Sequence, residues 1–358
     1  MNMVKESSVS RRNSNIELLR VIAMFLVLVV HADFFSLGAP NAEDLNSNAA
    51  DSVLRVFFEA LSIACVDIFI AISGYFGIHA KFKGLTKFLF QCAFFLIGIY
   101  AVTLLLGVST VSFAGFRGCI LATKLNWFVK AYLLLYILSP VLNAFVERAD
   151  RKLFRNVLIG FYSFQFLYGW IFSSAVTYIN GGYSIISFIG LYLLMRYVAV
   201  YRPKVFRMSA KKDFVLIACS VIFITLVYIT PPVCFKSDSL VLGNMLINYI
   251  SPVTIAIAVF SVVAFSKLNI SSRFINWCAA GSFAVFLLHT NPNTVEYYRM
   301  MFRILHGHVQ GFLFWGYTLI ILVVIFFVAL LLDQIRNLAW NKSYPLIENI
   351  CIKLKSVI

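Results

Sequence analysis

The first apolar segment of the chain carries two basic side chains that could do chemistry. Arg20 and His31 are separated by ten apolar residues. An imidazole can accept and return a proton near neutral pH, and a guanidinium can hold phosphate oxygens or a developing oxyanion. Ionisable side chains inside an apolar helix are costly and usually line a pathway enclosed by protein. The pair therefore predicts a catalytic protein rather than a scaffold.

Each of these residues also has a plainer interpretation. Arg20 could be an anchor that snorkels to the inner membrane interface, and His31 could be a hydrogen-bonded packing residue. Asp33 is a third catalytic candidate, although an Asp two positions from a His lies on a different helix face. Asp33 either serves the acceptor side of a reaction or simply faces water.

A second apolar segment contains two carboxylates, Glu59 and Asp67, which we consider for substrate binding. On a helix they lie roughly 12 Å apart along nearly the same face. A carboxylate inside a membrane needs a partner, and we expect Arg20 or a later cation to supply it.

The second segment ends in polar residues that could hold an anionic donor. Ser73 and Tyr75 flank a glycine that allows close backbone approach, and Lys81, Lys83 and Lys87 follow at once. These lysines either grip the phosphates of a cytosolic donor or reflect only the excess of positive charge on the inner side of membranes.

Three later residues are weaker candidates for substrate binding. Trp127 and Tyr132 are typical of aromatic side chains at a membrane interface, with stacking on donor or sugar as the alternative. His289 lies just before Asn291-Pro292, where a helix should kink or stop, and is either a packing residue or a substrate contact.

Composition identifies the class of protein that must position these groups. Of 358 residues, 61% are hydrophobic and only 13% are charged, well below the ~25% of soluble domains. The net charge of +15 resembles that of nucleic-acid-binding proteins. No basic stripe interleaved with aromatic residues exists outside the apolar runs, so we expect no nucleic-acid partner. The sequence predicts an all-α, polytopic membrane protein.

The apolar runs and the basic loops predict a topology. We expect ten membrane helices, at residues 15–35, 53–78, 86–107, 125–145, 154–173, 183–201, 213–232, 244–265, 277–295 and 311–332. Most of the 30 Lys and Arg residues then lie on one side, which predicts that both termini are cytoplasmic. We expect a cytoplasmic segment at 1–14, a membrane domain at 15–332 and a cytoplasmic tail at 333–358 that could lie as an amphipathic segment on the inner leaflet.

An ordered set of motifs resembles acyltransferase family three, the bacterial membrane O-acyltransferases that modify surface polysaccharides. The set comprises Arg20-x10-His31, Ile70-Ala71-Ile72-Ser73-Gly74-Tyr75-Phe76, Asn126-Trp127-Phe128 with Leu138-Ser139-Pro140-Val141-Leu142-Asn143, and Phe286-Leu287-Leu288-His289-Thr290-Asn291-Pro292. The last motif has Leu where the family has Tyr. The resemblance covers residues from about 13 to 332.

The resemblance implies that His31 is the essential catalytic group and that Arg20 belongs to an acyl-CoA site. The family commonly has Arg residues after the second helix, whereas this chain has Lys81, Lys83 and Lys87; lysine neutralises phosphate but lacks the bidentate fork. The implied donor is acetyl-CoA, with no metal, and the implied acceptor is a hydroxyl of a polysaccharide or lipid-linked glycan. The implied location is a bacterial cell membrane, with membrane lipid as a further partner and a homodimer left open.

One alternative function comes from a different class of protein. A transporter or flippase of lipid-linked oligosaccharide or a small solute could use Arg20, His31 and Asp67 as a coupling relay. The chain has no detectable internal repeat, whereas many such transporters are built from repeats.

Overall fold

The computed structural model describes residues 13–120, 125–172 and 178–355. Within these ranges every regular element is helical, which confirms the predicted all-α class. In chain order the α-helices are α1 Ser14–Ala32, α2 Phe34–Leu37, α3 Ala42–Ser47, α4 Ala49–Ser62, α5 Cys65–Phe76, α6 Phe82–Leu105, α7 Phe113–Ile120, α8 Trp127–Arg148, α9 Arg151–Phe164, α10 Ile185–Tyr201, α11 Ala210–Phe235, α12 Val241–Leu246, α13 Pro252–Ser266, α14 Arg273–His289, α15 Val295–His308 and α16 Gly311–Lys355. A π-helix at Gln165–Ile171 continues α9.

Within the described ranges, six helical segments are long and apolar enough to cross a membrane. They are Ser14–Leu37, Ala49–Phe76, Phe82–Leu105, Trp127–Arg148, Ala210–Phe235 and Gly311–Glu348. The predicted count of ten and the predicted orientation of the termini are not confirmed. Three other predicted spans fall on α10, α13 and α14, which have 17, 15 and 17 residues. The apolar helices α10 and α13 are about 26 and 23 Å long, against a hydrocarbon core of about 30 Å. The predicted span 154–173 falls on α9 and its π-helical continuation to Ile171, and residue 173 lies outside the described residues.

Two of the predicted segment boundaries can be compared with the structure. The N-terminal segment 1–14 lies outside the described residues except for its last two positions. At the other end, the boundary between 332 and 333 falls inside α16, which is continuous from Gly311 to Lys355.

Helix α1 holds a central position, because it packs against α4, α5, α13, α14, α15 and α16. Its core side chains, such as Leu19, Ala23 and Leu28, are almost fully buried. On peripheral helices, by contrast, large apolar side chains such as Ile97 and Val324 are about half exposed. That pattern suits a protein whose outer surface faces lipid.

Two sequence signals correctly predicted how helices end or approach each other. A side chain at Gly74 would place its Cβ only 2.6 Å from the Tyr192 carbonyl oxygen, so glycine allows α5 and α10 to pack closely. Helix α14 ends at His289, just before Asn291-Pro292, as the helix-stop interpretation predicts.

Candidate active site

Two cavities lie beside α1 and near its two ends. The arginine cavity, lined by Arg20 and Arg336, has a volume of about 370 Å³. The histidine cavity, lined by His31, has a volume of about 480 Å³. Arg20 and His31 belong to one unbroken helix, as predicted, so their Cα atoms are roughly 16 Å apart.

The two cavities share one wall of apolar side chains. Val27, Val66, Phe128 and Phe286 line both of them, and we call these four residues the apolar partition. The rings of Phe128 and Phe286 meet edge to face with centroids 5.4 Å apart. The two cavities are therefore neighbours that share these four side chains.

The imidazole of His289 fixes which ring nitrogen of His31 carries the proton. His289 Nδ1 lies 2.6 Å from the Val285 carbonyl oxygen, which can only accept, so Nδ1 carries the proton. His289 is 3% exposed, so a charged form of its ring is costly, and the neutral His289 then has a free lone pair on Nε2. His31 Nδ1 lies 2.8 Å from that Nε2 and must donate to it. The lone pair of His31 is consequently on Nε2, the nitrogen that a general base needs.

The surroundings of His289 hold its ring in place. His289 is 3% exposed and packs against Tyr298, with ring centroids 5.2 Å apart. The Tyr298 hydroxyl donates to the Leu28 carbonyl oxygen at 2.7 Å, and burial raises the pKa of Tyr298, so the hydroxyl keeps its proton. The structure places His289 against His31 and not among the residues that line the histidine cavity.

Asp33 is held in an ion pair away from water. It is 0% exposed, and its Oδ1 accepts a hydrogen bond from Arg55 Nε at 2.6 Å. Arg55 Nη2 also donates to the Gly38 carbonyl oxygen. The expectation that Asp33 simply faces water is wrong, because the neighbouring helix α4 supplies a buried guanidinium. No hydrogen bond joins Asp33 to His31 in the described part of the chain.

The carboxylates of the second segment are separated by the fold. Glu59 lines the histidine cavity, whereas Asp67, 5% exposed, lines neither of the two cavities. Arg20 is the partner of neither, since its guanidinium pairs with Glu17 Oε1 at 2.6 Å on the same helix. The predicted Arg20 partnership is therefore wrong: the i,i+3 neighbour reaches Arg20 first.

The polar end of α5 contributes one side chain to the arginine cavity. Ser73 lines it together with Tyr132, and their side-chain oxygens are 3.3 Å apart. Tyr75 is not among the lining residues, and its carbonyl oxygen accepts from Arg196. Of the predicted donor contacts on α5, the structure brings Ser73 to the cavity.

Three cations line the arginine cavity: Arg20, Lys87 and Arg336. Lys81 and Lys83 are exposed and do not line it. Lys83 Nζ lies 4.5 Å from the centre of the Tyr344 ring instead. The start of α6 thus places Lys87 at the cavity and Lys81 and Lys83 outside it.

Aromatic rings form one side of the histidine cavity. Trp127 lines it with Tyr183 and Tyr249, and the Trp127 and Tyr183 ring centroids are 4.6 Å apart. Flat aromatic faces beside the Glu59 carboxyl make a surface that suits a ligand with both apolar and hydroxyl-bearing faces.

Sequence reasoning missed several residues of this region. Tyr183 and Tyr249 come from segments far from α1 along the chain, and no local spacing marks them. Arg55 did carry a signal, since it lies four positions before Glu59, the i,i+4 spacing of an ion pair. Arg336 did carry a signal, because Asp333 and Arg336 have the i,i+3 spacing of an ion pair directly after a long apolar run.

The comparison with family models adds an independent finding. Residues 13–333 match a family model described as an acyltransferase domain. The comparisons with curated proteins and with solved structures found no match.

Proposed function

The chain belongs to acyltransferase family 3, and we propose that it moves an acetyl group from acetyl-CoA to a sugar hydroxyl across the apolar partition. The observation that carries this proposal is the placement of a basic imidazole and a cluster of cations in two cavities that share one wall. A transferase with a charged donor and a hydroxyl acceptor needs both environments within reach of each other.

The arginine cavity is the proposed donor side. CoA carries several phosphate charges, and Arg20, Lys87 and Ser73 supply cationic and hydroxyl groups along the lining. A pantetheine arm is long and apolar enough to pass from this cavity toward Phe128 and Phe286. The thioester would then lie at the partition, close to the histidine cavity.

The histidine cavity is the proposed acceptor side. His31 Nε2 takes the proton of the acceptor hydroxyl while its oxygen attacks the thioester carbonyl carbon. The carbon–sulfur bond then breaks, and the leaving CoA thiolate takes the proton from His31 Nε2, so the products are an acetyl ester and CoA and His31 is neutral again. The Nδ1 hydrogen bond to His289 stabilises the imidazolium that forms in between. An acetyl-histidine intermediate, in which Nε2 attacks the thioester itself, is the alternative that uses the same nitrogen.

The proposed acceptor is a glycan hydroxyl. Trp127, Tyr183 and Tyr249 offer ring faces for a sugar ring, and the Glu59 carboxyl offers hydrogen-bonding oxygens for its other hydroxyls. The proposed setting is the bacterial cell membrane, with the donor entering from the cytoplasm and the polysaccharide or lipid-linked glycan from outside.

The test is a transfer assay on the purified chain in nanodiscs with labelled acetyl-CoA and a glycan acceptor extract. We expect thioester cleavage and acceptor labelling by the wild type. His31→Ala should lower transfer by about 10²–10⁴-fold, the typical contribution of a general base, while donor binding is retained. His308→Ala, which removes an exposed histidine on α15, is the matched control.

Two outcomes would contradict the proposal. Wild-type turnover by His31→Ala would remove the catalytic role of that imidazole. Acceptor-independent solute uptake into vesicles without thioester cleavage would favour a transporter instead.

A further inference from the structure

A buried guanidinium on the last helix has an unused donor nitrogen. Arg336 is 1% exposed. Its Nε and Nη2 donate to Asp333 Oδ1 and Oδ2 at 2.9 and 2.6 Å. Its Nη1 is buried and has no hydrogen-bond partner among the described residues. Leaving a charged donor buried and unsatisfied is costly, so this nitrogen calls for an explanation.

The place of Arg336 in the fold suggests what the nitrogen binds. Arg336 lines the arginine cavity together with Arg20 and Lys87. Gln91 Nε2 from α6 donates to Asp333 Oδ1 at 2.8 Å. This bond locks the carboxylate from a second helix, and the carboxylate in turn holds the guanidinium in one orientation.

The arrangement resembles an anion site that is built before its ligand arrives. Asp333 uses two nitrogens of the guanidinium and leaves the third, and a rigid fork loses little entropy when it forms a further hydrogen bond. A ligand that enters this cavity with phosphoryl oxygens would satisfy Nη1 in a charge-assisted hydrogen bond.

We propose that Arg336 binds a phosphoryl group of the acyl donor through Nη1, with Asp333 and Gln91 as the positioning residues. This inference rests on the proposed function, since it takes the arginine cavity as the donor site. An anionic phospholipid headgroup carries the same phosphoryl chemistry, so the experiment separates the two sources.

The experiment measures ligand binding by the full chain in nanodiscs of phosphatidylcholine. The probes are CoA, inorganic pyrophosphate and pantetheine, which lacks phosphate. We expect Arg336→Gln to weaken CoA and pyrophosphate binding by about tenfold or more, since a charge-assisted hydrogen bond is lost, and to leave pantetheine binding unchanged. Arg336→Lys should recover only part of the loss, because lysine lacks the fork. Lys342→Gln, which removes an exposed charge from the same helix, should change nothing.

Three outcomes would overturn the inference. Equal weakening of CoA and pantetheine binding would show that Arg336 supports the scaffold only. Unchanged CoA binding, with loss of phosphatidylglycerol from the purified variant, would assign Nη1 to a lipid headgroup. Unchanged CoA binding in Arg336→Gln, with acetyl-CoA still cleaved by the wild type, would refute this inference and leave the proposed function standing.

The proposed function fails in a different way. If the wild type neither binds CoA nor cleaves acetyl-CoA, the proposed function and the donor assignment of Arg336 both fall. Pyrophosphate binding that is lost in Arg336→Gln would then identify an anion site with another use.

Discussion

The two cavities beside α1 differ in where their ion pairs lie. Arg20 and Arg336 line the arginine cavity itself, and each is paired with a carboxylate three positions earlier on its own helix. Beside the histidine cavity the ion pair of Asp33 and Arg55 is buried in the frame, and the lining offers an imidazole, a carboxyl and aromatic rings. On the proposed function, the arginine cavity attracts a charged donor and His31 accepts a proton in the histidine cavity. Variants of each cavity separate these two roles.

Breaking the buried ion pair of Asp33 and Arg55 should give the largest effect, a loss of stability. Arg55→Ala leaves the Asp33 carboxylate buried without its partner, which typically destabilises a protein by about 3–5 kcal/mol. The measurement is the thermal unfolding of the purified chain in detergent. Glu296→Gln, at a 64% exposed carboxylate paired with Arg299 and Arg303, is the control and should cost about 0–1 kcal/mol. An equal loss of stability in both variants would argue against a structural role for the buried ion pair.

Removing His289, the hydrogen-bond partner of His31, should come next in size. His289→Leu takes away the acceptor of the His31 Nδ1 proton, so His31 is free to carry its proton on either nitrogen. We expect kcat for acetyl transfer to fall by about 10–100-fold, the range seen when groups that orient a functional imidazole are lost, with KM for acetyl-CoA unchanged. His289→Gln keeps a side-chain oxygen as acceptor and should retain more activity. A rise in KM with constant kcat would instead support the predicted substrate contact of His289.

A smaller effect is expected from the cations of the arginine cavity. Arg20→Ala and Lys87→Ala should each raise the Kd of CoA by roughly tenfold, because each removes a charge-assisted contact worth about 1.5–3 kcal/mol. The double variant Lys81→Ala/Lys83→Ala removes more charge from the same segment but leaves the cavity lining intact. It should bind CoA as the wild type does. Titration of CoA into each variant decides, and weaker binding by the double variant would restore Lys81 and Lys83 as donor ligands.

The smallest perturbation tests which cavity faces which side of the membrane. Single cysteines at the exposed positions Ser47 and Ser209, in a chain without its native cysteines, should leave activity unchanged. A membrane-impermeant maleimide in intact cells should label Ser47→Cys and not Ser209→Cys. The reverse pattern would invert the proposed donor and acceptor sides.

The sequence was informative where local spacing controls the structure. Arg20 and His31 lie on one helix because ten apolar residues between them favour it. The stop at His289 follows from a nearby proline, which cannot donate a backbone hydrogen bond. The partner of His31 could not be predicted, because 258 positions separate the two histidines in the chain. The Arg55 partner of Asp33 depends on how α4 packs, which no local pattern encodes.

Contacts between distant parts of the chain also explain why the three lysines do not all line the cavity and why fewer long helices form than apolar runs predict. Lys83 and Lys87 share a helix face by their spacing. The Lys83 side chain nevertheless packs over the Tyr344 ring of α16, a contact between helices that are distant in the chain. Apolar runs near 20 residues contain helices of only 17 and 15 residues at α10 and α13, because the first part of each run is a loop or, before α13, the end of the short helix α12 and a turn. Hydropathy reports which residues are apolar, while capping and packing decide where a helix stops.

The apolar partition has an electrical consequence. Moving one elementary charge across a membrane potential of 100 mV involves about 2.3 kcal/mol, and two joined water-filled cavities would give ions a path to follow. On the proposed function, the apolar side chains of Val27, Val66, Phe128 and Phe286 would act as an insulator at that point. An acetyl group is neutral, so in the proposed reaction it passes the insulator without electrical work, while the CoA phosphates stay on their own side. Transfer would then proceed at nearly the same rate whether the cell is energised or not.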